Sequence, residues 1–68
     1  MNKALLEYEM SVRNISKEDI CKKLGISRSA FYRKCNGISE FTYSEIVKIV
    51  DFLGLSSPMG IFFDGKVS

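Results

Sequence analysis

Apolar residues recur every three or four positions through most of the chain, and Gly or Asn residues interrupt this pattern at short intervals. Near the N-terminus, Leu6, Met10 and Arg13 share one helical line with further apolar side chains beside it, as in an amphipathic helix. The interruptions leave five short segments with helical spacing, and none alternates as a strand does. The pattern therefore predicts an all-α fold of five helices.

Residues typical of helix ends divide the first half of the chain. The first helix is predicted over about residues 2–13, and Asn14 ends it because asparagine tolerates the left-handed conformation. Ser16 has the position of an N-cap for the second helix, and Asp19 completes an approximate capping box. Gly25 then ends the second helix.

A very short turn separates the second and third helices. Ser27 is the predicted N-cap of a third helix over about residues 28–35. Helices joined this closely must cross at a steep angle. Gly25 can supply the positive φ that such a turn needs, and the small side chain of Cys21 lets the third helix approach the second. This is the geometry of a helix-turn-helix, although an ordinary helical hairpin would use the same glycine for the same reason.

The second half of the chain predicts two more helices. Thr42 or Ser44 caps the fourth helix, which stops at Gly54, and Ser57–Pro58 begins a short fifth one. The core stripe of the fourth helix is predicted to consist of Ile46, Ile49, Val50 and Leu53.

Length and composition indicate one small folded domain. The chain has 68 residues, of which 46% are apolar and 26% charged, so it should fold but is too short for two cores. We therefore expect a single helix-turn-helix domain over residues 1–68. No apolar run approaches the roughly 18 residues of a membrane span and no signal peptide is evident, so a cytoplasmic, nucleoid-associated location is expected.

The residue types that most metal sites and enzymes need are missing. The chain has no His and no Trp, and its two cysteines are Cys21 and Cys35. Without histidine, neither a zinc shell nor a Ser-His-Asp arrangement is expected, and there is no glycine-rich phosphate loop. We therefore expect no enzymatic activity, metal, cofactor or small-molecule ligand.

The net charge of +2 conceals an asymmetry. Between Arg13 and Lys34 the chain carries a formal charge of +5, because seven basic residues face two acidic ones, and the remainder carries −3. A basic segment in an otherwise acidic domain is typical of a polyanion-binding face. Scattered lysines on a solvated helix are the plainer alternative.

The outer face of the third helix contains no acid. At helical spacing Ala30, Phe31 and Cys35 point inward, with the aliphatic stem of Lys34 beside them. In a DNA major groove, Arg can bind guanine, Ser can pair with base edges, and Tyr can contact a phosphate or a thymine methyl. The alternative is a solvated basic face. The predicted base-contacting residues are Arg28, Ser29, Tyr32 and Arg33.

Polar residues around this helix are candidates for the DNA backbone. Lys17 combines its charge with the free amides at the start of the second helix, and the neutral residues offer further donors. For the loop residues a capping or turn role is an equal alternative, and Glu40 fits the surface only if it points away or pairs with a lysine. The predicted phosphate-contacting residues are Lys17, Ser27, Asn36, Thr42, Tyr43 and Ser44.

Residues 16–37, SKEDICKKLGISRSAFYRKCNG, resemble the helix-turn-helix of the lambda-repressor-like family, the Cro and XRE type of phage and bacterial regulators. The resemblance lies in the polar start, the small Cys21, the Leu-Gly-Ile-Ser turn, the apolar Phe31 and the closing Asn-Gly. It implies a compact five-helix domain that binds double-stranded operator DNA as a dimer, with contacts at the positions named above. The ending Ile-Phe-Phe-Asp-Gly-Lys-Val-Ser is similar to that of small prophage regulators of Gram-positive bacteria.

Several positions depart from the family pattern. Lys17 stands where the family often has Gln, and Lys34 occupies a position that is usually apolar. Met10 and Cys35 stand where the family often has an internal Arg–Glu ion pair. Because losing both charges together can be neutral or stabilising, we predict that Met10 and Cys35 touch inside the fold.

These observations predict a sequence-specific transcriptional regulator, a repressor or Cro-like protein of phage or mobile-element origin. One recognition helix reads too few base pairs to select a site, so a weak homodimer completed on DNA is expected. Phe52 and Met59, with Val47 nearby, are the predicted interface residues, whereas Phe62 and Phe63 are expected to complete the core. The alternative is a protein-interaction module, such as an antirepressor or adaptor, on the same fold.

Overall fold

Five helices follow one another in the computed structural model, which describes residues 1–57 and 59–63, apart from the side chain of Met59. They are α1 (Lys3–Val12), α2 (Lys17–Leu24), α3 (Arg28–Cys35), α4 (Tyr43–Leu53) and α5 (Met59–Phe62). No strand occurs among the described residues, which confirms the all-α prediction. Pro58, predicted to begin α5, lies outside the described residues. No helix in the described part is long and apolar enough to span a membrane.

Two capping boxes fix the starts of α2 and α4. The Ser16 hydroxyl accepts the Asp19 N–H, and the Asp19 carboxylate accepts the Ser16 N–H, each at 3.1 Å. That backbone N–H holds the pKa of Asp19 below its ordinary value. Thr42, rather than Ser44, caps α4 and forms the second box with Glu45. Both helices are therefore specified by local sequence.

The turn between α2 and α3 depends on a left-handed residue. Gly25 has a φ of +74° and donates its N–H to the Cys21 carbonyl at 2.8 Å. The buried Cys21 thiol in turn approaches the carbonyl of Ser27, with 3.9 Å between sulfur and oxygen. Asn14, after α1, is also left-handed, with a φ of 59°. The predicted ends of the first two helices are confirmed.

The core brings together one large side chain from each of three helices. Leu6 of α1, Ile20 of α2 and Ile49 of α4 are fully buried, and Phe31 and Ile61 add contributions from the other two helices. All five helices therefore share a single core. Of the stripe predicted for α4, Ile49 and Leu53 are buried and Ile46 and Val50 are partly buried.

Aromatic side chains join α3 to α5. The Phe41 ring packs edge-to-face on Phe31, with 6.0 Å between ring centroids, and on Phe62, with 5.5 Å. Phe62 thus completes the core as predicted. Phe63 follows the last turn of α5 and is instead about half exposed, so the prediction that it completes the core is wrong.

Lys34 makes a polar contact that its position on the inner side of α3 did not predict. Its ammonium lies 3.0 Å from the Glu45 carboxylate, and the two side chains are only 15% and 13% exposed. The same ammonium donates to the Glu40 carbonyl at 3.2 Å, and the same carboxylate oxygen accepts the Thr42 N–H. One ion pair therefore fastens α3, the following loop and the start of α4 together.

Burial alone would raise the pKa of Glu45, since it disfavours the charged form. The Thr42 N–H and the Lys34 ammonium outweigh that effect, so the pKa lies below the ordinary value of 4.5. A carboxyl with a depressed pKa in the folded state contributes stability above its unfolded pKa. That contribution is lost as the pH falls through the folded value.

Replacing Glu45→Gln should lower the free energy of unfolding at pH 7 by about 1 to 3 kcal/mol, because a largely buried ammonium loses its charged partner. The variant should also lose less stability than the wild type as the pH falls below about 4.5. Urea unfolding at several pH values measures both effects. The matched double variant Lys34→Met, Glu45→Gln should recover part of the loss. Wild-type stability and an unchanged pH profile for Glu45→Gln would contradict this account.

Candidate nucleic-acid interface

The four residues predicted to read bases lie together on the outer face of α3. Arg28, Ser29, Tyr32 and Arg33 are all exposed, whereas Phe31 on the opposite face is buried. The Ser27 hydroxyl accepts the Ala30 N–H at 3.1 Å and so fixes the first turn of the helix. This short helix therefore presents donors and an aromatic ring to solvent and anchors itself by the other face.

A cleft of about 430 Å³ opens between α1 and α3 beside these residues. Its apolar floor includes Leu6 and Phe31. Its rim holds four cations and one carboxylate, so the cleft is positively charged and suits a polyanion. The charged residues that line it are Lys3, Glu7, Lys17, Arg28 and Arg33.

Lys17 reaches the cleft but is paired in the free protein. Its ammonium lies 3.6 Å from the Glu7 carboxylate, with side chains 55% and 45% exposed. Ion pairs this exposed contribute little, because solvent screens them. The pair is therefore no obstacle to an anion that binds at the start of α2. Sequence reasoning did not single out Glu7, whose i, i+4 neighbour Lys3 is the more obvious partner by spacing.

Asn36 is tied to two residues of this surface. Its amide nitrogen donates to the Tyr32 carbonyl at 2.8 Å, and its amide oxygen accepts from the Lys3 ammonium at 3.2 Å. The Lys3 ammonium also lies 5.8 Å from the centre of the Tyr32 ring, within cation–π range. Sequence reasoning missed Lys3, because only the packing of α1 on α3 brings it here.

The remaining predicted phosphate-contacting residues have other local roles and do not line the cleft. Ser27 and Thr42 use their hydroxyls as helix caps, and the Ser44 hydroxyl lies 3.4 Å from that of Thr42. Tyr43 is largely exposed and borders a separate apolar pocket on α4. Glu40 meets Lys34 through its main-chain carbonyl. The cleft thus gathers Lys17 and the α3 residues but not the loop.

Met10 of α1 and Cys35 of α3 line the same cleft. Met10 is buried, Cys35 is half-buried, and both line the space between α1 and α3. Burial raises the pKa of the Cys35 thiol, which leaves it uncharged at neutral pH. Two neutral side chains therefore stand where the resembling family often has an internal ion pair, as the prediction of a contact between them requires.

Residues 6–58 match the family profile of the Cro/C1-type helix-turn-helix DNA-binding domain. Comparisons with curated proteins and with solved structures gave no significant match. The profile covers most of the chain, from the middle of α1 through α4. The protein therefore belongs to the Cro/C1-type family of helix-turn-helix DNA-binding domains, which confirms the resemblance drawn from its sequence.

A double-mutant cycle tests whether Met10 and Cys35 meet. Met10→Arg should destabilise the fold by about 3 to 5 kcal/mol, because it buries a charge without a partner. Adding Cys35→Glu should recover much of that loss by restoring an opposite charge. Urea unfolding of the wild type, both single variants and the double variant gives the coupling energy. Additive losses would show that the two positions are not in contact.

Proposed function

We propose that this protein is a sequence-specific transcriptional regulator that places α3 in the major groove of operator DNA. The observation that carries the proposal is the continuity of the acid-free outer face of α3 with the cationic cleft beside it. A B-DNA major groove admits one helix and offers guanine acceptors to arginine. We further propose a repressor or Cro-like role in a phage or mobile element, in the bacterial cytoplasm, without enzymatic activity.

Base contacts are proposed for Arg28, Ser29, Tyr32 and Arg33, and phosphate contacts for residues at the edge of the same surface. Within the described part of the chain, Arg28 and Arg33 form no ion pair with a carboxylate. Their guanidinium donors are therefore available to DNA. Lys17 and the free amides at the start of α2 suit one phosphate. Ser27, Thr42, Tyr43 and Ser44 remain predicted backbone contacts, since main-chain amides at the starts of α3 and α4 also suit phosphate. Asn36 remains a predicted contact at the end of α3, directly or through the Lys3 ammonium that its side chain binds.

A homodimer is proposed because a single helix reads too few base pairs to select an operator. The fold is 34 Å in its longest dimension, so two adjacent copies can present α3 to major grooves one helical turn apart, about 34 Å. We place the contact on the surface of this domain. On a domain of this size the interface should bury less than about 1,200 Å², so the dimer is weak in solution and is completed on DNA.

We propose that the dimer contact lies on the exposed side of α4. Val47 and Phe63 are 46% and 49% exposed, and with Tyr43 they border a mostly apolar pocket of about 450 Å³. Phe52 is partly buried, and the Lys23 ammonium lies 5.7 Å from the centre of its ring. The side chain of Met59 lies outside the described residues. We therefore place Val47 at the centre of the proposed contact, and Phe52 and Met59 remain predicted members.

Mobility shifts at two salt concentrations separate this function from the alternative of a protein-interaction module. A dimer that neutralises about 6 to 10 phosphates should lose roughly 10³ to 10⁵ in affinity between 50 and 200 mM salt. The probe is an oligonucleotide selected from a random pool, compared with a scrambled duplex. Absent or salt-insensitive binding would favour the interaction module and overturn the proposed function.

Arg28→Ala should cost about 1 to 3 kcal/mol on the selected site and relax the preference at one base pair. Lys17→Ala should weaken binding to all sequences alike and lower the salt slope by about one per chain. Lys48→Ala, which removes an exposed charge of α4 outside the cleft, serves as control and should change neither. Equal losses for Arg28→Ala on selected and scrambled DNA would refute base reading by this residue.

Val47→Glu should weaken binding to a two-half-site operator by at least tenfold and leave binding to an isolated half-site unchanged, because a carboxylate is buried at the proposed contact. Val12→Glu makes the same substitution at an exposed position of α1 and should behave as the wild type. Sedimentation with the operator gives the stoichiometry. One wild-type chain per duplex at saturation, or equal behaviour of the two variants, would refute this interface.

A further inference from the structure

The first turn of α1 is held firmly against α5. The Asn2 N–H donates to the Ile61 carbonyl at 2.7 Å, and the Asn2 side chain caps α1 by accepting the Leu5 N–H at 2.9 Å. Gly60 of α5 lies so close that a Cβ there would come within 3.2 Å of the Leu5 side chain. Lys3 therefore projects from an anchored helix and not from a loose N-terminal arm.

From this position Lys3 reaches the end of α3. Its ammonium binds the Asn36 amide oxygen and lies beside the Tyr32 ring, at the distances given above. It also lines the same cleft as Arg28 and Arg33. The ammonium thus sits among the residues proposed to contact DNA, although it belongs to another helix.

The charge of Lys3 has no carboxylate partner within the described residues. Glu7, one turn further along α1, pairs with Lys17, and Lys34 pairs with Glu45. The polar partner of Lys3 is the neutral amide of Asn36, which orients the ammonium without neutralising it. A cation held in this way is available to a phosphate.

Asn36 itself is poorly placed to supply the main phosphate contact. Its amide oxygen and one amide hydrogen are already engaged, which leaves one neutral donor. An ammonium adds charge–charge attraction to its hydrogen bond with a phosphate, which a neutral amide does not. The charged contact at this end of α3 therefore belongs to the lysine.

We propose that Lys3 binds a DNA phosphate next to the end of α3 and that Asn36 is a positioning residue that acts on DNA through Lys3. This inference rests on the proposed DNA-binding function and deepens it. The interface then includes α1 as well as α2 and α3, and the phosphate lies beside the base that Tyr32 reads. Lys3 also keeps the Tyr32 ring in place by covering one of its faces.

The test uses the full chain and the selected duplex, with affinities measured over a series of salt concentrations. Lys3→Met keeps the aliphatic stem over Tyr32 but removes the charge. It should weaken binding to selected and scrambled DNA alike and lower the salt slope by about one per chain. Lys3→Arg should retain the wild-type slope. Lys48→Met removes the same charge elsewhere and should leave the slope unchanged.

A cycle with Asn36→Ala separates positioning from direct contact. If Asn36 acts through Lys3, Asn36→Ala should weaken binding in the wild type and add nothing to Lys3→Met. Additive losses would show that Asn36 binds DNA independently and would overturn the positioning role. Thermal unfolding of each variant shows that the comparison is made between folded proteins.

The proposed function and the role of Lys3 can fail separately. If the wild type shows no salt-dependent binding to DNA, the proposed function fails. If the wild type binds with a steep salt slope and Lys3→Met keeps that slope, only the role of Lys3 fails.

Discussion

The structure depends on how α3 is held in place, because few of its side chains are buried against the core. Its outer face is exposed and polar, and Phe31 is the one residue of α3 that is buried. A single buried phenylalanine contributes only about 1.5 to 3 kcal/mol, so the ends of the helix supply the remaining restraint. At its start these are Gly25 and the Ser27 cap, and at its end the contacts of Lys34 and Asn36 with other elements. The helix is held at its two ends so that its outer face stays exposed.

The ion pair between Lys34 and Glu45 restrains the loop after α3 in a way that apolar packing at position 34 would not. An apolar side chain in place of Lys34 would pack against the core but would not fix the position of the loop. The ammonium of Lys34 contacts both the Glu40 carbonyl and the Glu45 carboxylate of the α4 capping box. These two contacts fix the position of the loop between α3 and α4. Partly buried polar groups give such specificity only when each has its partners, and here they do.

The features that could be predicted from the sequence are those that local contacts determine. Ser16 with Asp19, and Gly25 after Leu24, act within four residues of one another, so their types and spacing suffice. The outer face of α3 was predictable for the same reason, since helical periodicity alone separates Arg28 from Phe31. The resemblance and the family match then place those residues on a DNA-binding domain.

The contacts that could not be predicted join residues distant in the chain. Lys3 and Asn36 are 33 positions apart, and Lys34 and Glu45 are 11 apart. Periodicity indicates which face of a helix is inward but not which residue of another helix it meets. Periodicity therefore predicts packing for Lys34 and a core position for Phe63, whereas the structure shows an ion pair and a half-exposed ring.

The two thiols add a property that the fold confers on the protein as a whole. Burial raises the pKa of both Cys21 and Cys35 above the ordinary value of 9.0, and only the thiolate reacts readily with oxidants and alkylating agents. Near neutral pH both thiols therefore stay largely protonated, which lowers their reactivity. The sulfur atom in the cleft is consequently a poor nucleophile as long as the domain stays folded.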